Sequence, residues 1–522
     1  MKKEGREGEK GKTTNHLHMK FTQKSLPILK SLPSLTSFPS LLLVFATWWL
    51  AWKYQDEFLT DWDSYDYTVY AVQGWPSALG LGRSLFIGYN HLLWIIAHRW
   101  FDVPPDQAHL VLRYAVIAQS GPAIAGLYML CKELTASRIA AFFGALLVAA
   151  SPFFIIYSGR AMSEIPAILL LSWSLWWMLR SLRLGRLNSF LIGSFLFGLS
   201  ANIREFAVFY LPLVFLAAII HGYRWKLGFT ALGLAIFGAL SGIIFWSLYK
   251  PDSYWPAVIN WYTLSVRERK LHPVTTQNFV YFVNFAFNCS CVVAIISPFA
   301  LLLAWLKKRG STLFHFGCLG LLANLIMLAN HDLPVNPRYL LTGLLGLAAV
   351  CGWSLAELIH SHRIWATPLL LGLLTLTKGT YNNMSKELYG QQWAARAARS
   401  YVAKIESLPW NAALIVGART PVVNLYSYIG ARPYWKIIPS GAGWPDDQLD
   451  EKIDDLLIAG RLVYVDFDPE LWQLGLRSEN REGPGLEMIK REYRLIHMHD
   501  SFYQIDKKKT YQDHERSRAS NH

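Results

Sequence analysis

The chain has 522 residues, of which 53% are hydrophobic and 16% charged, against about a quarter charged in soluble domains. This deficit argues against an ordinary soluble globule. The formal charge of +14 would suit a nucleic-acid partner, but Lys and Arg fall in short clusters between apolar runs and form no single basic face, so no nucleic acid is expected. The five cysteines lie in or beside apolar runs with no CxxC pair or Cys/His cluster, so neither a disulfide framework nor a zinc site is indicated.

Residues 1–36 are polar and basic, lack a cleavage-site pattern and read as a disordered cytoplasmic tail. Apolar windows then predict spans near 37–53, 109–131, 138–156, 162–179, 188–203, 206–220, 228–248, 281–305, 312–329, 339–358 and 365–378. Each approaches the roughly 20 residues that cross a 30 Å hydrocarbon core. The expected fold is an α-helical multi-pass membrane domain of about eleven helices over residues 37–378. The run from Phe190 to Ile220 is read as two helices, because Arg204 and Glu205 sit at its middle.

Orientation follows from the basic clusters, which accumulate on the cytoplasmic side. With the tail inside, the connections Lys132 to Arg138, Arg180 to Arg186, His221 to Lys226, Lys307 to Arg309 and His360 to Arg363 all fall on the cytoplasmic side, and all are basic. The opposite side receives segment 54–108, the turns at Arg160 and Arg204, segments 250–280 and 330–338, and everything after Lys378. The chain is therefore expected in the inner (cell) membrane, with its C-terminal part periplasmic or extracellular.

After Lys378 apolar stretches shrink to strand length, as in AALIVGA (412–418), LVYVDF (462–467) and YRLIHMH (493–499), separated by helical segments such as Lys386 to Ser407. Residues 379–506 read as a small α/β soluble domain, and 507–522 as a disordered tail.

Chemistry-bearing residues gather on the non-cytoplasmic side. Asp56, Glu57, Asp61, Asp63 and Asp66 follow the first span, interleaved with Trp62, Tyr65, Tyr67 and Tyr70. A solvated loop edge with interfacial aromatics would look the same. Arg160 and Glu164 bracket the start of the fourth span in SGRAMSEIP, where a buried charge is costly. The bland alternative is a salt-bridged helix start capped by Ser163. Arg204 with Glu205, and Arg338 with Tyr339, mark the same face. Trp255, Trp261, Tyr262, Arg267, Arg269, Lys270 and His272 form an aromatic and cationic set that suits a sugar and a phosphate, or equally an interfacial amphipathic helix.

A first span followed by a large acidic loop, charged turns at Arg160–Glu164 and Arg204, an Arg338-Tyr339 pair opening a late span, and a soluble C-terminal domain together resemble the GT-C superfamily of membrane glycosyltransferases. It is similar to the bacterial group related to protein O-mannosyltransferases and lipid A aminoarabinose transferases, and the pattern covers about 400 residues. WDSYDYTVYA supplies the acid, Asp63, and the downstream Tyr67. Ser64 stands where a second acid is usual, leaving Asp66 and the Asp56-Glu57 pair as competing assignments. The resemblance implies transfer of a sugar from a polyprenyl-phosphate donor to a hydroxyl of a protein, lipid or glycan, with inversion. It makes Asp63, Asp66 and Glu164 the catalytic candidates, and Tyr67, Arg160, Arg204, Arg267, Arg269, Arg338 and Tyr339 the substrate-binding ones. No cofactor is expected beyond the lipid-linked donor, although a divalent cation is compatible with the superfamily. A transporter or flippase of lipid-linked saccharides is the competing reading, against which no internal repeat is found.

Overall fold

The structure is a computed structural model that describes residues 38–59, 62–76, 82–220, 225–263, 276–330, 337–362, 364, 366–409, 411–416, 436–439, 446–467, 484–499 and 502–509. The expected N-terminal tail, Arg267, Arg269, Lys270 and His272 lie outside these residues.

Helix α1 (Phe38–Lys53) is followed by two helices within the first large connection, α2 (Trp62–Gln73) and α3 (Ser84–Phe101). Next come α4 (Ala108–Thr135), α5 (Arg138–Ala149), α6 (Pro152–Ser158), α7 (Glu164–Leu184), α8 (Leu187–Ile203), α9 (Leu211–Ile220) and α10 (Trp225–Tyr249). The helical part closes with α11 (Pro251–Trp261), α12 (Thr276–Lys308), α13 (Thr312–Asn330), α14 (Leu340–Ser361), α15 (Ala366–Asn383) and α16 (Ser385–Glu406).

Among the described residues, five helical stretches have the length and apolarity to cross a membrane: Pro105–Thr135, Glu164–Leu184, Gly228–Tyr249, Ala286–Lys308 and Leu340–Ser361. The span expected at 138–156 is a pair, α5 and α6, bent by 67° and long enough only when taken together. The bend follows from Ser151 and Pro152. Proline fits the first turn of a helix and disrupts an interior, and the Ser151 hydroxyl caps α6 by accepting from the Phe154 N–H at 3.5 Å. The same hydroxyl donates to the Cys289 carbonyl at 2.6 Å, beside the non-helical Ser290 that breaks α12. The expected division near Arg204 is present. Extended backbone at Arg204 (φ −154°, ψ 122°) ends α8, and a 3-10 turn over Glu205–Tyr210 leads into α9.

Apolar residues cover the outside of the helical part as well as filling its core. Phe45, Trp49, Phe229, Leu248, Phe299, Leu306 and Leu374 are exposed on the outside. Ser172, Ser174, Ser194 and Ser200 are buried and donate to backbone carbonyls. A solvent-facing surface this apolar fits lipid. Close helix contact inside relies on glycine: a Cβ at Gly198 of α8 would collide with the Ala235 carbonyl oxygen of α10.

The C-terminal sheet comprises β1 (Ala413–Val416), β2 (Lys436–Pro439), β3 (Val463–Asp466), β4 (Tyr493–His499) and β5 (Phe502–Lys508), in the order β2-β1-β3-β5-β4. The β1 pairings are parallel and those of β5 antiparallel. Helices α17 (Asp446–Ile458) and α18 (Pro484–Glu492) cover one face through Leu449, Ile453, Leu486 and Ile489; Ile405 and Leu408 cover the other. Three strands coincide with the runs read from the sequence, and β5 runs to Lys508, into the stretch expected to be disordered.

Candidate active site

The first segment after α1 is pinned by backbone. The Asp56 N–H donates to the Gly159 carbonyl at 2.9 Å, and Arg113 Nη1 donates to the Asp56 carbonyl at 2.6 Å. Asp56 itself is buried, and its Oδ1 accepts from the Phe58 N–H at 3.2 Å. Its carboxylate shapes the turn that carries the chain toward α2. Glu57 faces the other way, 3.4 Å from Arg399 of α16.

Asp63 lies in the first turn of α2, where the helix dipole favours a carboxylate. Tyr67 is one turn further on the same helix and is buried, with its ring edge-on to Phe86 of α3 at 5.0 Å. Among the described residues its hydroxyl has no hydrogen-bond partner. Asp66 lies between the two and is partly buried.

Arg83, in the turn before α3, has left-handed backbone (φ 65°) and is buried. Its N–H donates to the Asn202 carbonyl at 3.1 Å, and Asn202 Oδ1 accepts from the Leu85 N–H at 2.7 Å. Asn202 stands two residues before Arg204, so the contact that fixes the start of α3 also brings Arg83 and Arg204 to one place. Arg83 Nη2 lies 3.9 Å from Glu205 Oε1.

Glu164 opens α7, and Ser163 precedes it. Ser163 does not cap the helix with its side chain. Its hydroxyl accepts from Arg204 Nη1 at 2.9 Å. The same nitrogen lies 2.9 Å from Glu164 Oε1, and both side chains of this ion pair are fully buried. Glu164 Oε1 also stands 3.6 Å from Arg338 Nε, and Arg338 Nη2 meets Asp63 Oδ2 at 2.6 Å. Arg338 belongs to a 3-10 turn, Pro337–Tyr339, ahead of α14. The Tyr339 ring packs under both guanidinium groups, 5.3 Å from Arg204 and 5.5 Å from Arg338, a cation–π arrangement that gains strength when desolvated.

The result is a mixed-charge cluster of Asp63, Arg83, Glu164, Arg204 and Arg338 drawn from five separate stretches of chain. With Glu205 beside Arg83, the three arginines stand against three carboxylates. The Asp63 side chain keeps 25% of its surface exposed, against 7% for Arg338 and none for Arg204 or Glu164. The wall is closed and the carboxylate is the open end. Burial raises the Asp63 pKa, but Arg338, then Arg83 and Arg204, outweigh it and hold the carboxyl below its ordinary value. The stability this pairing contributes is therefore present above the usual carboxylate range, about pH 4, and lost as pH falls through the lowered value.

The structure thus brings together Asp63, Tyr67, Glu164, Arg204, Arg338 and Tyr339. Arg160 lies in the turn between α6 and α7 with its guanidinium over the Tyr157 ring at 5.6 Å. Arg83 was missed by sequence reasoning, because a single Arg in LGLGRSLF carries no motif; its only cue is a lone charge ahead of an apolar run. Among the described residues, no three His, Cys, Asp or Glu side chains converge as metal ligands do.

A family model for dolichyl-phosphate-mannose-protein mannosyltransferases matches residues 103–249, which run from just before α4 to the end of α10. The fold is similar to that of ArnT from Cupriavidus metallidurans, solved bound to undecaprenyl phosphate, at a TM-score of 0.57 and 12% identity over 89% of this chain and 97% of that one. The oligosaccharyltransferase of Archaeoglobus fulgidus, solved in complex with Zn and sulfate, matches at a TM-score of 0.49 and 12% identity over 88% of this chain and 71% of that one. No curated protein matches the chain by sequence. The family-model match lies within helices α4 to α10, and the fold is similar to that of ArnT along nearly the whole chain.

Proposed function

We propose that the protein transfers a monosaccharide, a hexose or pentose, from a polyprenyl-phosphate donor to an acceptor hydroxyl on the non-cytoplasmic face, inverting the anomeric carbon. The observation that carries this reading is one partly exposed carboxylate, Asp63, set against three buried arginines. In this reaction the acceptor oxygen bonds to the anomeric carbon while the bond from that carbon to the phosphate oxygen breaks, and the electron pair leaves on the phosphate. Asp63 takes the acceptor proton as general base. Arg338 and Arg83 face the charge that grows on the departing phosphate, the condition for electrostatic catalysis. Arg204 and Glu164 are closed to solvent and form the rigid wall behind them. The likeness to a fold solved with undecaprenyl phosphate supports a lipid donor.

The test is transfer of radiolabelled sugar from a panel of polyprenyl-phosphate monosaccharides to membrane extracts by the purified protein. No transfer from any donor, with flipping of a lipid-linked saccharide in reconstituted vesicles, would replace this reading with the carrier alternative.

Arg83→Met is expected to weaken binding of polyprenyl monophosphate about tenfold or more, since a charge-assisted hydrogen bond contributes about 1.5–3 kcal/mol. Titration of the lipid into detergent-solubilised protein measures it, and unchanged affinity removes Arg83 from the donor site.

The proposed topology has about eleven spans over 37–378, the N-terminus cytoplasmic, and the domain at 379–506 outside, in the inner (cell) membrane. The basic clusters at alternate connections support it. A cysteine at Ile458, which is 84% exposed, is expected to react with a membrane-impermeant maleimide in spheroplasts. Protection until the membrane is permeabilised would reverse the orientation.

A further inference from the structure

The resting site contains a conflict. A general base works best with a proton affinity near the operating pH, yet Asp63 is clamped by an arginine at 2.6 Å. Arg338 is itself held at two points. Its Nη2 reaches Asp63, while its Nε lies 3.6 Å from Glu164 Oε1, on a carboxylate already anchored by Arg204 and out of reach of solvent. Glu164 opens α7 and Arg338 immediately precedes α14, and both helices are deeply buried. A guanidinium so mounted is able to redirect its outer nitrogens without leaving the site, since the buried Glu164 carboxylate, 3.6 Å from its inner nitrogen, attracts it to the wall.

We infer that Arg338 is a counter-ion shared in turn between Asp63 and the donor phosphate, with Glu164 as the positioning residue that keeps it within reach of both, so that donor binding itself frees the base. This rests on the function proposed above. The phosphate brings negative charge up to the three arginines and competes with Asp63 for the outer face of Arg338. Asp63, relieved of its closest cation, becomes more basic at the moment an acceptor hydroxyl is to be deprotonated. Without donor the carboxylate stays paired, and a water or acceptor hydroxyl beside it is not activated.

Other charged and titratable groups stand in or beside the cluster. Asp66 and Tyr67 lie on the helix that carries Asp63, Arg83 in the turn before α3, Glu164 at the start of α7, Arg204 and Glu205 at the end of α8, and Tyr339 next to Arg338. Arg338 is ion-paired with Asp63 at 2.6 Å and stands 3.6 Å from Glu164 of the wall. The tyrosine hydroxyl is neutral in the working range, because burial and the nearby carboxylates raise its pKa. Arg83 stays charged at any pH used: burial lowers its pKa, and the nearby tyrosine and carboxylates raise it by more.

The deciding experiment is an infrared titration of the Asp63 carboxyl in the full-length protein, taken as the difference between the native chain and Asp63→Asn. It is run with no addition, with polyprenyl monophosphate and with inorganic phosphate, and binding is followed in the same samples. With polyprenyl monophosphate bound, the midpoint is expected to rise by about one pH unit, a tenfold gain in proton affinity. In Arg338→Gln the midpoint starts high and does not move on binding. In Glu164→Gln, provided it folds, binding persists with a smaller shift. A shift with inorganic phosphate as well assigns the effect to the phosphate group alone and supports the same inference; a shift with the lipid only adds the tail as an anchor. If the lipid binds and the native midpoint stays where it was, the shared counter-ion is wrong while the transferase reading stands. If neither phosphate binds, the donor site itself is overturned, and the inference falls with it. The native protein settles the point even if neither variant folds.

Discussion

Asp63→Asn lowers the turnover of sugar transfer by about 10²- to 10⁴-fold, the range contributed by a positioned general base, while donor affinity rises by up to about tenfold, since the phosphate no longer competes with a carboxylate for Arg338. The substitution keeps shape and leaves Asn able to accept from Arg338, but it removes the group that takes the acceptor proton. Neighbouring acids serve as internal controls. Asp56→Asn acts on stability, because its carboxylate accepts from the Phe58 N–H and its backbone is held by Gly159 and Arg113. Glu57→Gln removes an exposed pair with Arg399, which exposed ion pairs make worth about 0–1 kcal/mol. Initial rates at saturating donor, with thermal unfolding measured in parallel, separate the two effects. Full turnover in Asp63→Asn with loss in Asp66→Asn would move the base one turn along α2.

Much of this arrangement can be read from residues alone, for physical reasons. Apolar runs bounded by basic clusters mark spans because lipid tolerates no unpaired backbone and few charges. The same intolerance makes Glu164, Arg204 and Arg338 conspicuous wherever they sit. Strands β1, β3 and β4 are short apolar runs flanked by polar residues, and so are visible. Other features depend on contacts that no local pattern encodes. Segment 54–108 reads as an acidic loop, yet it folds into α2 and α3, and α3 is secured by Asn202 from more than a hundred residues away. The span at 138–156 looks continuous by hydropathy; Ser151 and Pro152 break it because Ser151 also serves the interrupted α12. Strands β2 and β5 are KIIP and FYQIDKK, in which charge or brevity conceals the alternation. The pairing of Arg338 with Asp63, some 270 positions apart, belongs to the same class. Each partner is a visible candidate, and their meeting is a tertiary fact.

Glu164→Gln destabilises the folded state by about 3–5 kcal/mol, the cost of removing one member of a buried ion pair and leaving the other uncompensated. Arg204 is fully buried, and its remaining nitrogens, Nε and Nη2, have no hydrogen-bond partner among the described residues. Loss of the carboxylate thus strands a complete positive charge in the wall of the site. The double variant Glu164→Gln/Arg204→Met is expected to recover most of that loss, since replacing both charges by apolar or neutral groups is often near neutral. A double-mutant cycle on unfolding in mixed micelles, with a large favourable coupling, would establish that the pair is desolvated and acts as one unit. The double variant then isolates function from stability. Its fold persists, but Arg338 loses its inner anchor, so transfer falls through kcat while donor binding by Arg83 remains. Single variants as stable as the native chain would mean that water reaches Glu164, and the rigid wall that aims Arg338 at Asp63 would have to be abandoned.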